Sequence, residues 1–229
     1  YYDHNMLVMS ERISDHLPKT KKYSPKQRLW YIRAKEVIIS SGSIERPLVF
    51  GNNDTPGVML SSAAKEYLKI YGVLVGKKPL VFTNNDSGYE TAIEFKKNGI
   101  DPIVLDTRKN PSSEIINEAK NLNIDIKFSY VVVVAKGYKK VKSADIAKIS
   151  DDKKQVSQIE NVSCDCICVS GFWTPTIHLA SQSGNKTKFN EKIDAFIPNQ
   201  PKQNETTLGS AKGVFTLEET LKTSFEKGF

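Results

Sequence analysis

The sequence predicts an α/β protein built from two Rossmann-like, three-layer nucleotide-binding domains, the first of them incomplete and interrupted by the second. Three observations carry this. From Leu80 to Leu105 an apolar strand, a polar turn and an amphipathic helix lead into a second apolar strand, the order of a β-α-β unit. Helix and strand patterns then keep alternating as far as Phe128, as a parallel sheet with helices packed on it requires. A hairpin and strand lie before this block, and a strand, a polar loop and a helix lie after it. Such an order assigns residues 1–49 and 163–229 to one nucleotide domain and residues 50–162 to a second domain inserted into it.

The elements follow from local patterns. "NMLVMSERI" and "RLWYIRAKEVIISSG" are β-branched and partly alternating, and the proline-containing stretch between them makes the loop of an antiparallel hairpin. A buried strand Val37 to Ile39 comes next. "SSAAKEYLKIYG" is helical and stops at Gly72, a C-cap. The β-α-β unit has strand Leu80 to Phe82, helix Gly88 to Lys97 and strand Pro102 to Leu105; helix Ser113 to Leu122 and strand Asp125 to Phe128 extend it. "YVVVVAKGYKKVKSADIAKI" reads as an antiparallel meander, "CDCICVSG" as a strand, "NQPKQNET" as a polar loop, and "LGSAKGVFTLEETLKTSF" as a glycine-bounded turn entering an amphipathic helix.

Composition excludes several classes. With 229 residues, 39% of them apolar, the chain can bury a real core. It shows no apolar run long enough for a membrane span and no signal-peptide pattern, so a soluble, cytoplasmic protein is expected. It begins at Tyr1 and ends after a helical pattern with no closing strand, as a fragment of a longer chain would. Net charge is +7, but only five of the 33 basic residues are Arg and the lysines are mixed with acids, a pattern that does not suggest a nucleic-acid reader. Cys164, Cys166 and Cys168 alternate along one strand; they are expected to share a face as buried thiols, with no C-x-x-C dithiol and no metal-ligand spacing. His4, His16 and His178 are dispersed, with no nucleophile and base arrangement around them. No catalytic residue is assigned.

Cofactor-binding candidates lie at strand ends. In a G-x-G-x-x-G turn the glycines make the bend, admit the pyrophosphate and let helix and strand pack closely. Thr83, Asn85 and Gly88 occupy these positions here, so only the third task is kept. Asn84 and Asn85 tolerate positive φ, but the side chain of Asn85 takes the space of a phosphate. Asp86 repels an anion from the helix or caps its N-terminus. Asp106 has the spacing of a ribose-binding acid, or is a solvated acid at a strand end, and Arg108 beside it suits a 2'-phosphate. The better candidates flank this unit: Ser41-Gly42 after strand Val37 to Ile39, and Gly209, Ser210, Lys212 and Gly213, which precede a helix whose N–H groups would face a pyrophosphate. Small residues in those places also occur in plain connections.

"YDHNMLVMSERISDHL", "SGSIERPLVFGNNDTPGVMLSSAAKEYL", "VFTNNDSGYETA", "VSGFWTPTIHLASQSG" and "LGSAKGVFTLEETL" come in an order that resembles the alpha subunit of heterotetrameric sarcosine oxidase over nearly the entire chain. More distantly the layout is similar to thioredoxin reductase, an FAD/NAD(P)-linked reductase, whose dithiol motif is missing. The resemblance implies a flavoprotein complex that demethylates sarcosine to glycine with oxygen, gives hydrogen peroxide and passes the one-carbon unit to tetrahydrofolate or releases it as formaldehyde. It places FAD in the beta subunit, FMN between alpha and beta, and a non-catalytic NAD in alpha, with gamma and delta as further partners. By the same resemblance NAD contacts run from Ser41-Gly42 to the segment Gly209 to Glu219, including Leu217, and the pocket over Thr83 to Gly88 is empty. Two alternatives rest on the same residues: a stand-alone reductase of the disulfide type, which needs a dithiol or a second glycine fingerprint, and a non-catalytic interaction module. If the outer domain has an open sheet edge, limited proteolysis should leave residues of about 50 to 162 as the resistant core; a different stable core would refute this.

Overall fold

The structure, a computed structural model, describes residues 1–228. In chain order its elements are strands β1 (Met6–Arg12), β2 (Gln27–Arg33), β3 (Val37–Ile39), β4 (Ser43–Glu45) and β5 (Val58–Leu60), helix α1 (Ser61–Tyr71), β6 (Pro79–Thr83), α2 (Ser87–Lys97), β7 (Ile103–Asp106), α3 (Glu114–Asn121) and β8 (Asp125–Phe128). The chain continues through β9 (Tyr130–Lys136), β10 (Ser143–Lys148), β11 (Glu160–Ser163), β12 (Cys166–Ser170), β13 (Trp173–Pro175), α4 (His178–Gln182), β14 (Lys186–Asn190), β15 (Ala195–Gln200), β16 (Glu205–Thr207), a 3-10 turn Gly209–Lys212 and α5 (Leu217–Gly228). It divides into two compact units, one of Tyr1–Ile44 with Thr174–Phe229 and one of Glu45–Trp173.

The larger unit is a five-stranded parallel sheet in the order β5-β12-β6-β7-β8. Strands β6 and β12 at its centre are buried at every position and apolar except at their last residues, Thr83 and Ser170, as strands covered on both faces require. Alternate residues feed two cores. Leu80, Phe82, Leu105, Ile167 and Val169 pack with Val132, Ala144 and Ile146 of the antiparallel meander β9-β10-β11, whereas Val81, Val104, Cys166 and Cys168 pack with Tyr89, Ala92, Phe95, Ile116 and Ala119 of the helices. Helices on one face and a meander on the other make three layers. α1 ends on Gly72 in the left-handed conformation (φ 63°), with Gly72 and Val73 donating to Leu68 and Tyr67, the C-cap expected from sequence.

Both boundaries drawn from sequence, 49/50 and 162/163, fall inside this unit. The reason is β12: it lies between β5 and β6, so the chain leaves the sheet only after Ser170. The cysteines also differ from expectation. Cys166 and Cys168 share the helix face with their sulfurs 3.5 Å apart, but Cys164 precedes the strand and packs in the meander core.

The smaller unit contains the β1-β2 hairpin, the β14-β15 hairpin and a parallel pair, β3 with β16. Part of the stretch read as a polar loop is therefore strand, because Glu205 and Thr207 turn inward. The Glu205 carboxylate accepts hydrogen bonds from Ser183 Oγ and, at 2.9 Å, from Asn185 Nδ2, which offsets the cost of burying it. Val37, Ile39 and Ala180 form a small core cluster here.

Burial pushes the Cys164 thiol up to about 12, with the neighbouring Cys166 and Asp165 adding to the shift. Cys168 is also raised, by its hydrogen bond to Cys166 and by burial. All three cysteines are buried, so they should be unreactive to a thiol-exchange dye at pH 8 until denaturant is added; rapid labelling of the native chain contradicts this packing. Ile167→Ala, at a fully buried position, should cost about 2–5 kcal/mol in urea unfolding.

Candidate functional site

In open parallel sheets ligands settle at the carboxyl ends of the strands, where the order reverses. In the larger unit that crevice lies between β6 and β12, because β7 and β8 lead away on one side and β5 on the other. It is filled from within. Asn85 is buried, and its Nδ2 donates to Ser170 O (3.1 Å), Ser170 Oγ (3.2 Å) and Asn84 Oδ1 (2.9 Å). Its Oδ1 accepts the Ser87 N–H at 2.8 Å, which uses a donor of the first turn of α2. The indole N–H of Trp173 donates to Ser87 Oγ at 2.9 Å and places a large ring beside that turn. Thr83 Oγ1 donates to Asn85 O (2.8 Å) and accepts from Asn85 N (3.1 Å), which fixes the bend. Neither asparagine has positive φ, contrary to the expected use of their tolerance for it; the amide side chain serves hydrogen bonding instead. Gly88 keeps its close-packing task, since a Cβ there would meet Thr83 Cβ at 2.6 Å.

Asp106 ends β7 fully buried, and its oxygens are spent. Oδ1 accepts from Arg108 N (2.9 Å) and Nε (3.1 Å), and Oδ2 from Arg108 Nη2 and Tyr89 OH, both at 2.8 Å. Arg108 Nη2 also lies 2.8 Å from Asp86 Oδ1, so Asp86 sits at the N-cap position of α2 without a side-chain capping bond. Burial, then the charge of Asp106, pushes the Tyr89 phenol well above its ordinary range. Burial opposes the Arg108 charge, but the hydrogen bonds and charges of Asp106 and Asp86 outweigh it and raise Arg108. Tyr89 and Trp173 were not among the sequence candidates; the only signal for them was an aromatic beside each glycine-containing turn.

The smaller unit presents a different arrangement. β3 and β16 run parallel, with Thr207 opposite Ile39 and the Leu208 N–H donating to Ile39 O at 3.0 Å. Ser41-Gly42 and Gly209-Ser210 thus leave from the same end of neighbouring strands. Gly42 (φ 74°) and Gly209 (φ 62°) are left-handed, and nothing lies within 4 Å of a Cβ built on Gly42. That open face is where a ligand backbone can approach. Ser41 Oγ donates to Thr176 O at 2.6 Å and Thr176 N to Gly42 O at 2.9 Å, which holds the loop in place.

The segment after Gly209 differs from expectation: Gly209–Lys212 is a separate 3-10 turn, closed by left-handed Gly213 (φ 88°), and α5 begins only at Leu217. Glu218 and Glu219 occupy the first turn of α5, so its dipole already faces negative charge. Glu219 accepts from Thr216 Oγ1 at 3.0 Å, and Leu217 is exposed. Lys212 lines a cavity of about 220 Å³ with Asn185, Thr207 and Lys227, and neither Ser41 nor Gly42 borders it. Thr207 Oγ1 is buried there without a hydrogen-bond partner. Among the described residues no cluster of His, Cys, Asp or Glu is arranged to hold a metal, and no helix is long and apolar enough to cross a membrane.

Comparison with known proteins adds to this geometry. No family model matches the chain. It is 32% identical over 231 residues to the sarcosine oxidase subunit alpha of Corynebacterium sp. (strain P-1), covering 99% of this chain and 24% of that protein. Against the same subunit of Rhizobium meliloti (strain 1021) it is 32% identical over 213 residues, or 92% of this chain and 20% of that protein. The chain thus spans about a quarter of the length of these relatives. Among solved structures it resembles thioredoxin reductase of T. acidophilum (TM-score 0.66, 15% identity, 85% of this chain and 64% of that one). A similar likeness links it to the flavoprotein disulfide reductase RclA of Escherichia coli (TM-score 0.66, 14% identity, 99% of this chain and 47% of that one). These likenesses show that the chain shares the α/β fold of those two reductases.

The clamp on Asp106 is testable. Arg108→Ala leaves a buried carboxylate short of its cation, at a cost on the order of 3 kcal/mol, the low end because a third of the Arg108 side chain stays solvated. Urea unfolding of Arg108→Ala beside Lys109→Ala measures it; equal midpoints contradict the clamp.

Proposed function

We propose, on the premise that this chain is a relative of the sarcosine oxidase alpha subunit along its whole length, that it is the NAD-holding part of such a subunit. The complex oxidatively demethylates sarcosine to glycine with oxygen and tetrahydrofolate, and the reaction centres, with FAD, FMN and the folate site, lie outside this stretch. Its partners are the beta, gamma and delta subunits, and it works in the cytoplasm. The cofactor-holding role belongs on this proposal to residues 1–49 with 163–229 and the scaffolding role to residues 50–162, β12 going with the sheet into which it pairs.

The observation that carries this reading is the contrast between two strand-end crevices. In the larger unit Asn85, Trp173 and the Arg108 clamp fill the place of a pyrophosphate with the protein's own polar groups. In the smaller unit left-handed Gly42 leaves an open approach beside left-handed Gly209, and a buried unpartnered hydroxyl lines the cavity that Lys212 borders. On this proposal Ser41, Gly42, Gly209, Ser210 and Gly213 would meet a dinucleotide with backbone, Lys212 would face its phosphates, and Leu217 and Glu219 would border it. NAD bound there supplies an ordering ligand, and no hydride transfer is assigned to it. A stand-alone disulfide-type reductase is disfavoured, since the paired sulfurs of Cys166 and Cys168 are fully buried.

Titration calorimetry with NAD tests the assignment. Gly42→Val and Lys212→Glu should weaken binding at least about tenfold, or roughly 1.4 kcal/mol, and Asn84→Ala should leave it unchanged. Loss of binding confined to variants of Asn84, Asn85 or Asp106 would move the cofactor to the larger unit.

A further inference from the structure

We propose that the smaller unit carries a second ligand site, for a small multiply charged anion of the phosphate or carboxylate type, in the cleft at the base of the β1-β2 hairpin. The cleft has a volume of about 580 Å³ and is lined by Asp3, His4, Asn5, Arg33, Lys202 and Gln203 among others. That volume lies within the range of small-molecule sites. It is also separate from the nucleotide region. Val37 N donates to Asn204 O at the amino end of the β3-β16 pair, whereas Ser41 and Gly209 leave from the carboxyl end.

The floor is built, not incidental. Asn5 is buried and uses every polar group: its N–H donates to Gln203 Oε1 (2.7 Å), its Nδ2 to Lys35 O (3.1 Å) and Asn204 O (3.0 Å), and its Oδ1 accepts from Tyr1 OH (3.0 Å). Gln203 Nε2 donates in turn to Tyr2 O (3.1 Å) and Ser183 O (2.8 Å). This network holds His4 and Asn5 in consecutive left-handed conformations (φ 61° and 51°), a costly backbone state that persists only where its surroundings impose it. A rigid floor lowers the ordering cost of binding.

Charge sets the ligand class. Arg33 and Lys202 face the cleft and enter no ion pair among the described residues, with Asp3 the one acid in the lining. Between residues 6 and 33 the hairpin and its loop carry seven Lys and Arg against two acids, most of the net +7 of the whole chain. Of these cations Arg33 stands at the hairpin base, where β2 ends, and the others lie toward the loop end. The planar guanidinium grips a phosphate or carboxylate with two parallel hydrogen bonds, and the Lys202 ammonium adds a point charge.

The test is calorimetry of the 229-residue chain with inorganic pyrophosphate and with citrate as probes. Binding of at least one probe is expected, weakened at least about tenfold in Arg33→Gln and in Lys202→Gln, partly rescued in Arg33→Lys and unchanged in Lys139→Gln, an exposed position of the larger unit; the tighter probe identifies the anionic group. Thermal melts matching the parent confirm that the variants fold. No binding of either probe at millimolar concentration, binding indifferent to Arg33 and Lys202, or displacement of the probe by NAD would each overturn the site.

Discussion

The larger unit depends on one pairing, the parallel ladder between β12 and β6, which sets Cys166 to Ser170 beside Pro79 to Thr83. Strands so far apart in sequence close a long loop, whose entropy must be repaid before the sheet gains anything. Repayment comes from burial on both faces, since Leu80, Val81, Ile167 and Val169 are at most 1% exposed. At about 1.5–3 kcal/mol for each fully buried large apolar side chain, four such residues outweigh a closure cost that grows only with the logarithm of loop length. The same ladder carries Ser170 to the end of β6, where Asn85 reaches it. Closure of the crevice is therefore a consequence of the pairing.

Much of this was legible in the sequence, and the reasons differ by element. Strands β6 and β7 and helices α1, α2 and α3 announce themselves through the period of their apolar residues, with Gly72 and Gly99 marking the ends of α1 and α2. The glycine-poor turn was legible too, since each position of that turn has a separate steric duty. β16 was not, because its three residues, Glu205 to Thr207, are polar and become a strand only through pairing with Val37 to Ile39. The place of Cys164 was hidden likewise: alternation assigns a face only inside a strand, and this strand starts at Cys166. Trp173 and Tyr89 act through contacts made in three dimensions, which spacing alone does not encode.

The strand ends of the two units differ in their polar groups. The larger one satisfies Asn85, Asp106 and Thr83 internally, as a scaffold does, since a buried polar group without a partner is costly. The smaller one keeps left-handed glycines at the ends of its parallel strands and unpaired cations at the hairpin base.

The chain contains two tryptophans, Trp30 and Trp173. The first lies on β2, 41% exposed, and the second, half-buried, donates its indole N–H to Ser87. Each unit therefore carries its own intrinsic fluorophore in a distinct environment, the exposed indole emitting to the red of the shielded one. A Trp30→Phe or Trp173→Phe chain makes emission a private record of a single half, so that melting of the two halves can be timed separately in one molecule without any label.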